Sequence, residues 1–238
     1  MRSSARVIPN EGKPMLPWIQ LDSAKIPGDG GELRLKQRGR EFSIMLGANE
    51  LMNSRLSGSE EALATLSWEK IKGRPKAKIL IGGLGMGFTL RAALAVLPAD
   101  AEVTVAELVP AVVAWAKGPM AEVFDGCLDD PRVTIHEGDV GELIRRSTNG
   151  FDAILLDVDN GPDGLTRTSN DRLYDHGGLN AAREALRAGG VLAVWSSGPD
   201  AAFTRRLQQG GFSASAVNVR ANAKRGGARH VIWLAVKR

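Results

Sequence analysis

The residues best placed to do chemistry are acids at the ends of apolar runs. Leu155-Leu156-Asp157-Val158-Asp159-Asn160-Gly161-Pro162-Asp163 closes such a run with three carboxylates in quick succession. Carboxylates crowded into a pocket can hold a cationic substrate, and one of them can take its proton. Asp157 ends a strand-like run and suits a turn poorly, so it is the candidate general base, with Asp159 as a holder of positive charge. Asp163, beyond a Gly-Pro pair, reads as a turn residue. Two further acids stand at similar junctions. Glu107 closes Glu102-Val-Thr-Val-Ala-Glu107, and Asp139 precedes Val140 in Glu137-Gly-Asp-Val140. A strand-end acid such as Glu107 can accept both hydrogen bonds of a ribose diol, or can simply be solvated. Asp139 can accept from an exocyclic amine such as adenine N6, can cap the helix that follows, or can do both.

A glycine turn lies upstream of these acids. In Lys78-Ile-Leu-Ile-Gly-Gly-Leu-Gly-Met-Gly-Phe-Thr-Leu-Arg91, Gly82, Gly83, Gly85 and Gly87 follow an apolar strand and precede a helical pattern. Such glycines let a ligand lie on bare main chain beside the unpaired N–H groups of a helix start. The dinucleotide fingerprint fails in either register, because Phe88 or Leu90 stands where its third glycine belongs. The phosphate-loop lysine and hydroxyl are absent as well. An adenosine-type ligand without a diphosphate fits the turn and Glu107 together. Tyr174, the only tyrosine, either lines an acceptor site or packs. Trp115, Trp195 and Trp233 read as core, and no pair of His or Cys has metal-ligand spacing, so no metal is expected.

The elements that must position these groups follow from periodicity. From Lys76 onward strand and helix patterns alternate. They give strands at Ile79–Ile81, Val103–Ala106, Val133–His136, Ala153–Leu156 and Val191–Trp195, with a closing ribbon from Ala214–Val219 and His230–Val236. Repeated βα units predict an α/β fold with a doubly wound, mostly parallel sheet, and ligands on such sheets sit at the carboxyl ends of the strands. Before it, alternating runs between glycine turns predict a small antiparallel β meander. The divisions expected are an extended arm over 1–17, the meander over 18–56 and the ligand-binding domain over 57–238. Ser57-Gly-Ser-Glu60 has capping-box spacing for a helix through Leu66. The stretch from Val158 to Arg172 has the length of a lid.

Of 238 residues, 43% are apolar and the net charge is +4, which allows a sizeable core. The basic run Lys70 to Lys78 lacks interleaved aromatics and reads as a solvated connector, so no nucleic-acid partner is expected. One cysteine, no apolar leader and no long apolar span predict a cytoplasmic protein with no membrane partner.

At these residues the chain resembles the class I S-adenosylmethionine-dependent transferases, a Rossmann-like fold, and within them the spermidine synthase-like branch. The resemblance rests on Ile81-Gly-Gly-Leu-Gly-Met-Gly87, Val105-Ala-Glu107-Leu-Val-Pro110, Asp130-Pro-Arg-Val133 with Gly138-Asp139, Phe151-Asp-Ala-Ile-Leu-Leu-Asp157 and Leu186-Arg-Ala-Gly-Gly190. It implies that Glu107 holds the ribose, Asp139 the adenine, and Asp157 the position of the base. It also implies a homodimer. The branch's Gly-Gly-Gly-Asp-Gly-Gly loop has Gly85 in place of the Asp, and its Tyr-His-Glu segment would fall near Ser57–Glu61, where neither Tyr nor His occurs. An Asp there would repel the α-carboxylate of intact S-adenosylmethionine by roughly 4 kcal/mol at about 4 Å. Its loss is expected to favour the intact cofactor, hence methyl transfer to a small amine-bearing acceptor. The alternatives are aminopropyl transfer from decarboxylated S-adenosylmethionine, and a cofactor-binding protein without activity.

Overall fold

A computed structural model describes residues 16–28, 31–158, 162, 172–222 and 226–238. Among them the strands form two sheets. The first is an antiparallel meander of β1 (Ile19–Lys25), β2 (Glu32–Arg38), β3 (Glu41–Leu46) and β4 (Asn49–Asn53). Sequence patterning marks three of these strands. The fourth is missed because Asn49–Asn53 is short, polar at both ends and follows its partner across a glycine turn. The expected arm lies almost wholly outside the described residues.

The second sheet contains β5 (Lys78–Gly82), β6 (Glu102–Glu107), β7 (Val133–Glu137), β8 (Phe151–Leu156), β9 (Leu186–Ser196), β10 (Phe212–Asn222) and β11 (Gly226–Lys237). Their order is β10-β11-β9-β8-β5-β6-β7. β5 to β9 run parallel, while β11 pairs antiparallel with both β9 and β10. From β5 the chain builds outward through β6 and β7, then crosses back to β8. The crevice beside β5 and β8 is therefore the switch point where such sheets take ligands. The expected α/β, Rossmann-like architecture with an N-terminal meander is the one observed.

Alternate residues of the central strands feed two apolar layers, as the two-residue strand period requires. Ile79, Ile81, Val103, Val105, Ala153 and Leu155 face the layer shared with α1 (Gly58–Ile71), α2 (Phe88–Val96), α3 (Pro110–Lys117) and the short α4 (Ala121–Phe124). Leu80, Ile154, Leu156, Leu192 and Val194 face the other layer, shared with α5 (Val140–Arg145), α6 (His176–Ala185) and α7 (Ala201–Gln209). Leu33, Leu35, Phe42 and Ile44 of the meander join the first layer, so the small sheet packs onto the domain through buried apolar contact. Asp22 at its edge accepts a 2.7 Å hydrogen bond from Trp115 Nε1 on α3. A short 3-10 turn, Cys127–Asp129, precedes β7.

At the amino end of β8, Asp152 is 2% exposed. It accepts from Arg74 Nη1 and Arg187 Nη1, each at 2.8 Å, and from the Lys78 N–H at 2.9 Å. One carboxylate thus ties β5, β8 and the start of β9 together. The capping box expected at Ser57 does not form, since the Ser57 side chain makes no capping bond to α1. It is Ser59 that meets Glu60, through a 2.7 Å hydrogen bond from Oγ to Oε2.

Candidate functional site

The strand ends converge. Gly83 follows β5 with φ +89°, donates its N–H to the Ala106 carbonyl at 2.9 Å, and leaves no room for a side chain. A Cβ there would stand 2.5 Å from the Asp157 carbonyl oxygen. Asp157 in turn donates its N–H to the Gly82 carbonyl at 3.0 Å. The glycine turn and Asp157 are therefore stitched together through main chain. Gly83 and Gly85 border the crevice. Gly82 and Gly87 serve the turn instead. A Cβ on Gly82 would meet Leu156 and Val140 at 3.1 Å, and one on Gly87, with φ +76°, would meet the Phe124 ring at 2.6 Å.

Glu107 at the end of β6 is buried, with one oxygen toward the glycine turn and the other toward the main chain that follows β6. Oε2 accepts from the Leu84 N–H and Oε1 from the Val109 N–H, each at 2.9 Å. Burial raises its carboxyl above the usual carboxylate range, against the pull of these N–H groups. The Gly85 and Leu108 N–H groups also face the carboxylate, so a ribose diol would share its oxygens with main-chain donors. Asp139 caps α5 by accepting from the Gly141 N–H at 2.6 Å, while it and Val140 still border the cavity. Capping and contact with a ligand are thus compatible in one side chain.

The crevice has two connected lobes. The larger, about 190 Å³, is bordered by Glu107, Asp139, Val140 and Gly83 from the strand ends, and roofed by Ile26 and Leu33 of the meander. The smaller, about 100 Å³, is bordered by Glu60, Asn53, Phe88 and Trp195. Leu51, Met52, Gly85 and Asp157 border both. A wider groove of about 770 Å³ along α1, α2 and the 3-10 turn is open surface that Asp157, Glu107 and Asp139 do not border. The larger lobe fits an adenosine-type ligand, with bare main chain on one side, two carboxylates at strand ends and apolar meander residues above.

Asp157 is the chemically distinctive group. Its Oδ2 accepts from Thr89 Oγ1 at 2.7 Å. Burial, with the Glu60 carboxylate beside it, pushes its carboxyl up to about 7, and the Thr89 hydroxyl offsets this only in part. Burial raises Glu60 too, against the Ser59 hydrogen bond. A carboxyl that titrates near neutrality is poised to take a proton from an amine.

Asp159 lies outside the described residues, as does most of the expected lid. Tyr174 sits in the second apolar layer, 2% exposed, edge-on to Phe203 at 5.8 Å. Its hydroxyl donates to the Val158 carbonyl at 3.4 Å. It borders neither lobe, so it reaches the site through Val158, which borders the larger one. Two further side chains at the site are marked by the sequence for structure alone, as part of a capping box and as core. Glu60 comes from α1, and Trp195, read as core, is half-buried at the smaller lobe with its Nε1 buried and unpartnered among the described residues. Among the described residues no group of His, Cys, Asp and Glu could hold a metal ion, and no helix is long and apolar enough to cross a membrane.

Residues 58–202 match the spermine/spermidine synthase domain. The chain belongs to that family. Over 127 residues it is 33% identical to the polyamine aminopropyltransferase of Nitrosomonas europaea, covering 53% of this chain and 37% of that protein. It is 31% identical over 127 residues to polyamine aminopropyltransferase 1 of Streptomyces coelicolor, covering 52% and 23%. The chain thus aligns with well under half the length of these relatives. Its fold superimposes on spermidine synthase from Thermotoga maritima with a TM-score of 0.71 at 20% identity, over 92% of this chain and 72% of that one.

These likenesses overturn the expectation of methyl transfer from the intact cofactor. The family and both curated relatives are named for polyamine chemistry and aminopropyl transfer. Gly85 does not by itself decide between the two cofactors, because acids from other segments stand around it. Glu60 and Asp157 border the same lobe as Gly85, so losing an acid at 85 does not remove negative charge from that end of the crevice.

Proposed function

We propose that this protein is an aminopropyltransferase that uses decarboxylated S-adenosylmethionine and a small amine acceptor. The observation that carries the proposal is Asp157 at the junction of the two lobes, raised to about 7 beside a second carboxylate, in a chain of this family. When bound, the sulfonium supplies an alkyl carbon with a good leaving group, so the protein's main task is placement. Fixing the two reactants in line can supply roughly 7–11 kcal/mol of the barrier. Gly83 and Gly85 offer main chain to the adenosyl group, Glu107 grips the ribose diol, and Asp139 faces the adenine. In its ionised form Asp157 accepts the proton that the attacking amine must lose, while Thr89 orients the carboxyl. Asp159 is assigned to the acceptor side and Tyr174 to holding Val158 in place.

The family likeness and the apolar residues left exposed at the meander, Leu16 at 60% and Ile19 at 61%, support a homodimer, which light scattering tests. A cytoplasmic setting belongs to the same reading. The decisive assay supplies decarboxylated S-adenosylmethionine with 1,4-diaminobutane and follows spermidine and methylthioadenosine by mass spectrometry. Equal amounts of both are expected. Absence of both, with the cofactor demonstrably bound, would remove the proposal.

A further inference from the structure

Among the described residues that border both lobes, Gly85 and Asp157 follow strands of the large sheet. Leu51 and Met52 border both as well, and they are neighbours in the chain on β4 of the meander. Neighbouring residues of a regular strand point to opposite faces, so only one of them should reach a given cavity. The pairing of β4 with β3 shows why both do. Ile44 pairs with Met52 and Met45 with Glu50, which leaves Leu51 as an extra residue in β4. Such a bulge bends its strand and re-aims side chains toward a site. This one is braced. The Glu50 carboxylate accepts from Ser43 Oγ at 2.7 Å, Asn53 Nδ2 at 3.2 Å and Arg55 Nη2 at 2.9 Å. One side chain thus joins both sides of the bulge to β3.

Across the junction from β4, Gly85 has φ +52° and no side chain, and a Cβ built there would meet Met52 Sδ at 3.4 Å. The thioether therefore lies over the bare main chain of the glycine turn. An alkyl group that leaves a sulfonium in the larger lobe for an amine in the smaller one must pass through this junction. Met52 is unbranched, polarisable and apolar, which suits it to packing along a short run of methylenes. We propose that Met52 is a specificity-determining residue that packs the methylenes of the transferred chain against Gly85. The cofactor is then recognised partly by the carbon chain it donates. This rests on the aminopropyl-transfer reading and adds to it the part of the protein that measures the transferred group.

The test is equilibrium binding, by calorimetry, of methylthioadenosine and of its propylthio analogue. Both are uncharged thioethers, so the pair isolates packing of the chain from any effect of an amine. Two methylenes buried against an apolar wall predict that the wild type prefers the propyl compound by about 5- to 20-fold. Met52→Ala should bring the two ligands within roughly threefold by weakening the propyl compound, with methylthioadenosine still bound much as in the wild type. Met52→Val, which suits a strand but lacks the reach of methionine, should act in the same direction and carries the test if the alanine variant does not fold. Met52→Leu, close to methionine in volume, should keep the preference. Glu50→Ala, at a residue that borders neither lobe, removes the brace of the bulge and should fall between. A propyl preference that survives intact in Met52→Ala and Met52→Val, or that the wild type lacks, overturns the assignment. The aminopropyl-transfer reading stands or falls separately, on methylthioadenosine formation by the wild type.

Discussion

Asp152 and Asp157 bracket the apolar stretch of β8, and the fold treats them in opposite ways. Asp152 receives two guanidinium groups and a main-chain N–H, so its charge is matched within the protein. Asp157 receives one hydroxyl and faces another acid. Asp152 is buried within the sheet, whereas Asp157 stands half-buried just beyond the strand, at the edge of the crevice, and in either place an unmatched charge is costly. The difference separates an acid that stabilises the fold from one that, on the proposed reading, is held ready for a ligand. At one end of the strand the counter-charge is built in; at the other it must arrive with the substrate.

Exchanging the two acids for neutral groups should separate their roles. The largest effect is expected from Asp157→Asn, which should lower turnover by about 10²- to 10⁴-fold with cofactor affinity kept. Rates and cofactor titrations on the same preparation check this. Asp152→Ala should instead cost about 1–3 kcal/mol of stability, because the Lys78 N–H and the two partly exposed guanidinium groups lose their shared acceptor, while turnover per folded molecule stays near that of the wild type. Denaturant titration against active-site counting measures both.

Gly83→Ala asks whether the main-chain contact between the glycine turn and Asp157 matters. With a Cβ forced to within 2.5 Å of a carbonyl oxygen, at φ +89°, cofactor affinity should fall by at least about tenfold. Gly85→Ala meets only Met52 Sδ at 3.4 Å and should lose less.

The last predicted effect is modest in size and has a clear sign. The raised carboxyl of Asp157 keeps its proton in the folded protein between the ordinary value of 3.8 and about 7. Its contribution to stability is full below the ordinary value and is lost as pH rises through 7. Asp157→Asn removes that loss. The variant should therefore be more stable than the wild type at pH 8 by roughly 1–2 kcal/mol, a few degrees in Tm, with no gain near pH 4. Thermal melts at both pH values decide it. An inactive variant that is more stable is what an acid kept for function should give.

Much of this site is legible in the sequence because the acids close their own strands. Glu107, Asp139 and Asp157 each end an apolar run or open a helix, and parallel strands deliver such ends to one crevice. The glycine turn is legible for the same reason, although its division of labour is not. That Gly87 makes room for Phe124, and Gly82 for Val140 and Leu156, depends on packing between distant segments. Glu60 is illegible because it joins Asp157 across nearly a hundred residues and resembles any acid in a first helical turn, where acids are common. Trp195 follows an apolar run and looks like core until the strand is seen to end at a cavity. The error about methyl transfer has the same root, since one substituted position was weighed before its neighbours in space were known.

The central claim is that Asp157 is left without a protein counter-charge so that an amine can supply one. The carboxyl of Asp157 can be followed directly by carbon-13 NMR across pH, in the protein alone and with 1,4-diaminobutane. The account predicts a midpoint near 7 in the free protein that moves to lower pH when the diamine binds. A midpoint in the ordinary carboxylate range that does not respond to the diamine would contradict it.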